Sequence, residues 1–160
     1  MHIETDDLSR PAVAGLLREH LRHMQSLSPP ESVHALDLDA LNTHSLSFWT
    51  AWDNGLLLGC GALKESSPTH GEIKSMRTSD RWRRRGAAQA ILGHIITVAK
   101  QRNYELLSLE TGSHPGFAAA RRLYLKTHFQ YSEPLAGYTH DPHSVLKTLR
   151  LDDSSIQGLY

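Results

Sequence analysis

Cysteine is nearly absent: the 160-residue chain has one, Cys60. An intramolecular disulfide is therefore excluded, and so is a cysteine-based zinc site. An excess of one charge is missing too, because 17 basic residues balance 17 acidic ones. No net field steers the chain toward nucleic acid or an anionic lipid surface. No apolar run approaches bilayer-spanning length, so no membrane partner is expected. The first residues, MHIETDD, are acidic and lack both a basic stretch and an apolar segment, so no secretory signal is expected and the expected location is cytoplasmic. Internal repeats, low-complexity tracts and long linkers are also lacking.

What is present is an ordinary globular composition, 39% apolar and 21% charged. The length suits one domain, expected over residues 1–152, with a short tail at 153–160. The 11 histidines raise the net charge quickly below neutral pH.

After a short extended start, Ser9 is positioned as a helix N-cap with Pro11 in the first turn. Val13, Leu16, Leu17, Leu21 and Met24 follow at helical spacing, an apolar stripe suited to a sheet face. Ser28-Pro29-Pro30-Glu31-Ser32 ends this helix in a loop, and a helical turn is expected around Asp37 to Leu41. Ser45 to Trp52 reads as a strand. Asn54-Gly55 is a hairpin signal, since both residues tolerate the positive φ of a primed turn. Leu56 to Lys64 returns as a nearly continuous apolar strand, and Gly71 to Thr78 as another.

The pattern then changes. Arg85 to Arg102 reads as a helix with Ala87, Ala90, Ile91, His94, Ile95 and Val98 on one face. Leu106 to Glu110 is a strand and Gly116 to Lys126 a second helix; Phe129 to Ser132 and Ser144 to Leu149 are the last strands. A meander feeding strand–helix–strand–helix predicts an α/β (α+β) fold: a mixed, mostly antiparallel central sheet with helices on both faces. Its binding crevice is expected where neighbouring strands diverge.

The segment from Glu72 to Ala88 holds the most chemistry. A strand runs into a basic turn, Arg81-Trp82-Arg83-Arg84-Arg85, then Gly86, then Ala87 and Ala88 opening a helix. The free N–H groups and macrodipole of a helix start favour anions. Gly86 permits close backbone approach, small alanines leave room, and arginines add charge for phosphate. The segment is neither a P-loop nor a Gly-x-Gly-x-x-Gly fingerprint. Nucleic-acid contact by Arg81 and Arg83 to Arg85 is disfavoured by zero net charge and the lack of a stacking motif.

Arg83-Arg84-Arg85-Gly86-Ala87-Ala88 resembles the Gln/Arg-x-x-Gly-x-Gly/Ala signature of GNAT acetyltransferases. Downstream, Leu107 to Ser113 and then Phe117-Ala118-Ala119-Ala120-Arg121-Arg122-Leu123-Tyr124 through Phe129 is similar to the family's second half. There a strand precedes a helix bearing Ala-x-x-x-Tyr, followed by Gly-Phe. His128 stands where the family has glycine, which predicts a strained or reshaped turn. Leu27 to Leu36, Gly59 to Glu65, Glu72 to Thr78 and Asp141 to Val145 extend the resemblance to a bacterial subgroup, the YsnE-like acetyltransferases.

The resemblance implies the GNAT acyl-CoA N-acyltransferase fold and direct attack of a primary amine on acetyl-CoA, with no metal. It implies that the Met76 and Thr78 backbone, with Arg77 between them, pairs with the pantetheine arm. Arg85, Gly86, Ala87 and Ala88 N–H groups then hold the pyrophosphate, helped by the Arg83 and Arg84 side chains, and Met76 N–H donates to the thioester carbonyl. Glu72 stands as far before Gly86 as the base glutamate of the family's histone acetyltransferases, so it is the candidate base. The bland reading is a strand glutamate paired with Lys74 or Lys64. Tyr124, one turn after Ala120 on the same helix face, is the candidate acid for the departing thiolate, and Phe117 shares that face. A non-catalytic CoA-binding module, or a peptide rather than small-molecule acceptor, stays open. A homodimer is a family-level expectation.

His20 and His23 lack a third metal ligand and sit on what reads as an exposed helix face; His140 and His143 share that weakness. Cys60 between two glycines reads as a small buried residue, and Phe48, Trp49 and Trp52 as packing. For the acceptor, Met24, Ser28, Ser32, His34, Tyr138 and His143 are the candidate lining residues.

Overall fold

The computed structural model describes residues 1–27, 46–132 and 144–151. The expected Ser28–Ser32 loop and the turn near Asp37 to Leu41 lie outside these residues. In chain order the elements are β1 (His2–Thr5), α1 (Pro11–Leu27), β2 (Leu46–Asp53), β3 (Leu56–Ser67), β4 (His70–Thr78), α2 (Ala87–Gln101), β5 (Leu106–Gly112), α3 (Ala118–Lys126), β6 (Gln130–Tyr131) and β7 (Ser144–Arg150). Short 3-10 turns at Asp80–Trp82 and Pro115–Phe117 precede α2 and α3. The strands form one seven-stranded sheet in the order β1-β2-β3-β4-β5-β7-β6. Every neighbouring pair is antiparallel except β4 with β5. The mixed, mostly antiparallel sheet is the one expected.

The β2–β3 hairpin turns at Asn54 and Gly55, whose φ values of 50° and 78° are those a primed turn requires. A bulge then shifts the register between Ala51 and Trp52, inserting Leu58 on the β3 side. As a result Leu58 and Leu63 face one cluster, whereas Cys60 and Ala62 face the other. The first cluster joins α2 and α3 to the sheet through Ile91, Leu92, Ile95, Leu107, Leu109 and Phe129. The second seats Val13, Leu16 and Leu17 of α1 on Phe48, Trp52, Cys60 and Ala62. Helices therefore cover both faces.

The entry to α1 is fixed by a buried carboxylate. Asp6 accepts from Leu8 N–H (2.8 Å), Arg10 (2.7 Å) and the Thr50 hydroxyl (3.2 Å). Arg10 in turn lies over the Trp52 ring at 4.3 Å. The helix begins at Pro11, so Arg10 and not Ser9 flanks the first helical residue; its carbonyl accepts from Val13 and Ala14 N–H. Proline's fixed φ suits that first position.

Two other boundaries move. Helix α2 starts at Ala87 rather than Arg85, because Arg84 and Gly86 hold φ of 65° and 80°, outside helical space. Its core face is Ala87, Ile91, Leu92, Ile95, Ile96 and Ala99, while Ala90, His94 and Val98 sit half-buried at the margin. The buried stripe is thus rotated from the expected one, and His94 meets the Trp49 ring edge-on at 5.3 Å. Helix α3 starts at Ala118, since Pro115 and the His114 side chain, which accepts from Gly116 N–H at 2.9 Å, build a tighter turn first.

The C-terminus of α3 shows what replacing glycine by His128 does. Phe129 N–H donates to Tyr124 O and His128 N–H to Leu125 O, both at 3.0 Å, a Schellman closure. That closure needs a left-handed residue, and His128 has φ of 71°. A side chain there costs about 1–2 kcal/mol, partly offset by glycine's larger entropy loss on folding. His128→Gly should therefore raise thermal stability by up to about 1 kcal/mol. Circular-dichroism melting checks this, and an unchanged or lower Tm would show that His128 is unstrained.

Candidate active site

Strands β4 and β5 run parallel and pair only at His70–Leu106, Gly71–Leu107 and Glu72–Ser108. Beyond Glu72 they separate. The cause lies in β4, which carries a bulge on the β3 side: Lys74 faces Ala62 and Arg77 faces Cys60, leaving Ser75 and Met76 opposite Gly61 alone. Ser75 takes φ of 55° to fit the extra residue. The bulge also resets the side-chain alternation. Ile73 and Met76 pack toward α2, whereas Arg77 reaches α1.

The separation opens a cavity. Its walls are Glu72 to Met76 of β4, Leu109 to Gly112 of β5, His20 and Met24 of α1, and Phe117, Ala120 and Tyr124 at and beyond the turn into α3. Predicted residues Glu72, Met76, Phe117, Ala120, Tyr124 and Met24 thus meet around one space. Thr78 ends β4 and is half-buried. Ser28, Ser32, His34, Tyr138 and His143 lie outside the described residues.

The arginines divide their work. Arg77 is buried, with Nη2 at 2.8 Å from both Glu19 and Asp80, so its side chain ties β4 to α1 instead of facing a ligand. Arg83 donates to Asp80 at 2.6 Å and Arg85 lies 4.8 Å over the Trp82 ring. Arg84 is exposed in a left-handed conformation. Gly86 is the α2 N-cap, with only open space where a Cβ would project; Ala87 and Ala88 follow in the first turn. Free N–H groups therefore face open space at the helix start, with the three arginines directly before it in the chain.

Inside the cavity Glu72 Oε1 is 2.5 Å from Lys74 Nζ, the pairing that the bland reading anticipated. Tyr124 is buried, and desolvation pushes its hydroxyl well above the ordinary tyrosine pKa. It therefore carries its proton at neutral pH. Its ring meets Phe129 edge-on at 5.7 Å.

His20 corrects the sequence reading. It does not share an exposed face with His23 but lines the cavity, and burial, with Arg77 and His23 nearby, pushes its pKa down to about 4. The signal was present: His20 lies four residues after Leu16 and four before Met24, on the apolar stripe. His23 instead packs edge-on against Phe117 at 5.4 Å. Cys60 is buried as expected, its thiol pushed up to about 12 by desolvation.

Two supporting residues escaped the sequence reading. Arg121 Nη1 donates to Gly112 O (2.8 Å) and His114 O (2.9 Å), holding the loop that carries Phe117. Lys147, fully buried, donates to Arg121 O at 3.1 Å. Polar residues in an alternating strand or on a helix read as solvated, so neither announces itself. The loop also needs Gly112, where a Cβ would fall 2.2 Å from Phe117 Cε2. Gly112→Ala should displace Phe117 and lower stability by about 1–3 kcal/mol. Denaturant unfolding of the single and the Gly112→Ala/Phe117→Leu double variant checks this. The double variant should recover part of the loss, and strictly additive losses would disprove the clash.

The profile of the Acetyltransferase (GNAT) family matches residues 14–129. The chain is 53% identical over 151 residues to the uncharacterised N-acetyltransferase YsnE of Bacillus subtilis, covering 94% of this chain and 100% of that protein. It is 48% identical over 153 residues to the uncharacterised N-acetyltransferase YedL of Escherichia coli, covering 96% of each. A crystal structure from Klebsiella pneumoniae, described as a candidate acyl-CoA N-acyltransferase, superposes with a TM-score of 0.78 at 26% identity, over 94% of this chain and 97% of that one. Among the described residues no helix is long and apolar enough to cross a membrane, and no three potential metal ligands gather. The splayed parallel pair, the open α2 start and these likenesses agree: the chain belongs to the GNAT acetyltransferase family, in its YsnE-like subgroup, as an acetyl-CoA-dependent N-acetyltransferase.

Proposed function

We propose that the enzyme transfers the acetyl group of acetyl-CoA to a primary amine by direct attack in a ternary complex, with Glu72 as base and Tyr124 as acid. The observation that carries this reading is that both groups border the gap left where β4 and β5 stop pairing. Two further facts fit acetyl-CoA there. Ser75 Oγ and Thr111 Oγ1, one on each separating strand, are buried without a hydrogen-bond partner among the described residues. A pantetheine arm carries amide groups able to complete them.

In this reading the pyrophosphate rests on the N–H groups of Arg85 to Ala88, with Arg83 and Arg84 adding charge. The pantetheine follows Met76 to Thr78 as an added strand. Glu72 takes a proton from the ammonium, whose lone pair then attacks the thioester carbon. As the oxygen gains charge, Met76 N–H donates to it, a contribution worth about a hundredfold or more. Collapse of the tetrahedral adduct breaks the C–S bond, and Tyr124 O–H gives its proton to sulfur. The nitrogen sheds its second proton to solvent, from which the tyrosine hydroxyl is restored, and Glu72 returns to carboxylate by releasing its proton to solvent.

The acceptor enters on the α1 side, where Met24 lines the cavity. The Glu72–Lys74 pair on the wall suits a polar acceptor.

Two experiments test it. Calorimetric titration with acetyl-CoA should show saturable binding, weakened at least tenfold, about 1.4 kcal/mol, in Gly86→Glu. Undiminished affinity in the variant would displace the pyrophosphate from α2. A free-thiol assay of acetyl-CoA with propylamine, ethanolamine, putrescine, glycine and benzylamine should reveal turnover. Tyr124→Phe should then lower kcat by about 10²–10⁴-fold with acetyl-CoA affinity unchanged. Wild-type kcat in that variant would remove the acid role.

A further inference from the structure

His20 lines the cavity without a part in the proposed chemistry. His20 comes from α1, which covers one face of the sheet, while Tyr124 belongs to the cluster on the other face. Acetyl-CoA and the acceptor amine must meet between them. His20 Nδ1 is buried and has no hydrogen-bond partner among the described residues. Leaving such an atom unpaired costs about 1–3 kcal/mol, so its retention calls for a partner supplied from outside the fold. Among the described residues the cationic groups nearby are engaged elsewhere, Arg77 Nη2 with Glu19 and Asp80 and Lys74 Nζ with Glu72, while Arg77 Nε and the Ser75 and Thr111 hydroxyls, like His20 Nδ1, are buried and unpaired.

We infer that His20 is the acceptor-binding residue on the α1 side of the cavity, where its imidazole accepts a hydrogen bond from the amine N–H and aims the nitrogen lone pair at the thioester carbon. The inference rests on the amine-acetylation reading. A neutral imidazole is the right group for this task. It has a lone pair to offer, and it does not repel the ammonium that arrives before Glu72 removes a proton. Burial and the neighbouring Arg77 push its pKa down to about 4, so the ring is neutral near pH 7. Glu72, with one oxygen held by Lys74, has its second oxygen for the ammonium proton, while His20 directs the neutral amine that remains. No proton is assigned to His20; it orients, and the transfer steps stay with Glu72 and Tyr124.

The test uses the full chain and the probe amine of the set above that wild-type enzyme acetylates fastest. His20→Phe keeps the ring's bulk and removes the acceptor, whereas His20→Gln keeps a hydrogen-bonding group. His20→Phe should lower kcat/KM for the amine by about 10- to 100-fold, with Tm and the KM for acetyl-CoA unchanged, and His20→Gln should recover part of the loss. In CoA-loaded wild-type protein carrying ring-labelled histidine, the probe amine should shift the His20 signal. Amine kcat/KM retained within about twofold in His20→Phe would overturn the inference while leaving acetyl transfer intact. So would equal losses for amine and acetyl-CoA with no recovery in His20→Gln, the mark of a packing role. Absence of transfer by wild-type enzyme to every probe would instead remove the amine reading, and this inference with it.

Discussion

A parallel pair of strands that stops pairing after three residues leaves backbone polar groups on both sides of the gap, and the rest of this molecule is arranged around that gap. Backbone groups in a sheet interior need partners. Here the bulge at Ser75 makes the separation stable, because β4 keeps its ladder with β3 while bending away from β5. The same insertion turns Arg77 toward α1, where Glu19 and Asp80 hold it. One extra residue therefore opens the cavity and attaches the helix that closes one of its sides. On the far side, Arg121 and the Schellman closure of α3 fix the loop and the helix that carry Phe117 and Tyr124.

Charge is distributed with similar economy. Four of the basic residues in and before the Arg-rich turn occupy different environments: Arg77 in a buried ion pair, Arg83 on Asp80, Arg85 on an aromatic ring, and Arg84 exposed. The Arg77 pair is costly to break from the carboxylate side, since the buried guanidinium alone would remain desolvated. The others stand near the open start of α2, where their charge adds to that of the helix terminus. A motif that reads as one basic cluster thus divides between framework contacts and exposed charge.

The architecture was legible because local signals agreed with one another. Asn54-Gly55 marked the hairpin, apolar periodicity marked α1 and α2, and the switch from meander to strand–helix–strand–helix marked the mixed sheet. His128 could be read as a strained position, and its φ of 71° bears that out. Less legible were features set by tertiary contact. The rotation of the α2 face depends on how Ile91 and Leu92 meet the sheet, and the bulges at Leu58 and Ser75 depend on the neighbouring strand's register. Lys147 is buried against the expectation for its type, because a carbonyl of α3 sits where its ammonium ends. His20 was legible by spacing yet discounted by residue type, a polar side chain on an apolar stripe.

Cys60 has a consequence for how the enzyme can be handled. Its sulfur is wholly buried, its S–H donates to Ser75 O at 3.3 Å, and its thiol is pushed up to about 12. Thiolate, the form that attacks electrophiles and is oxidised first, is therefore scarce at neutral pH. Disulfide reagents that report released CoA will meet no competing sulfur from the folded protein. Reaction of Cys60 with such a reagent becomes instead a clock for unfolding, since the strand pair that hides it must open first.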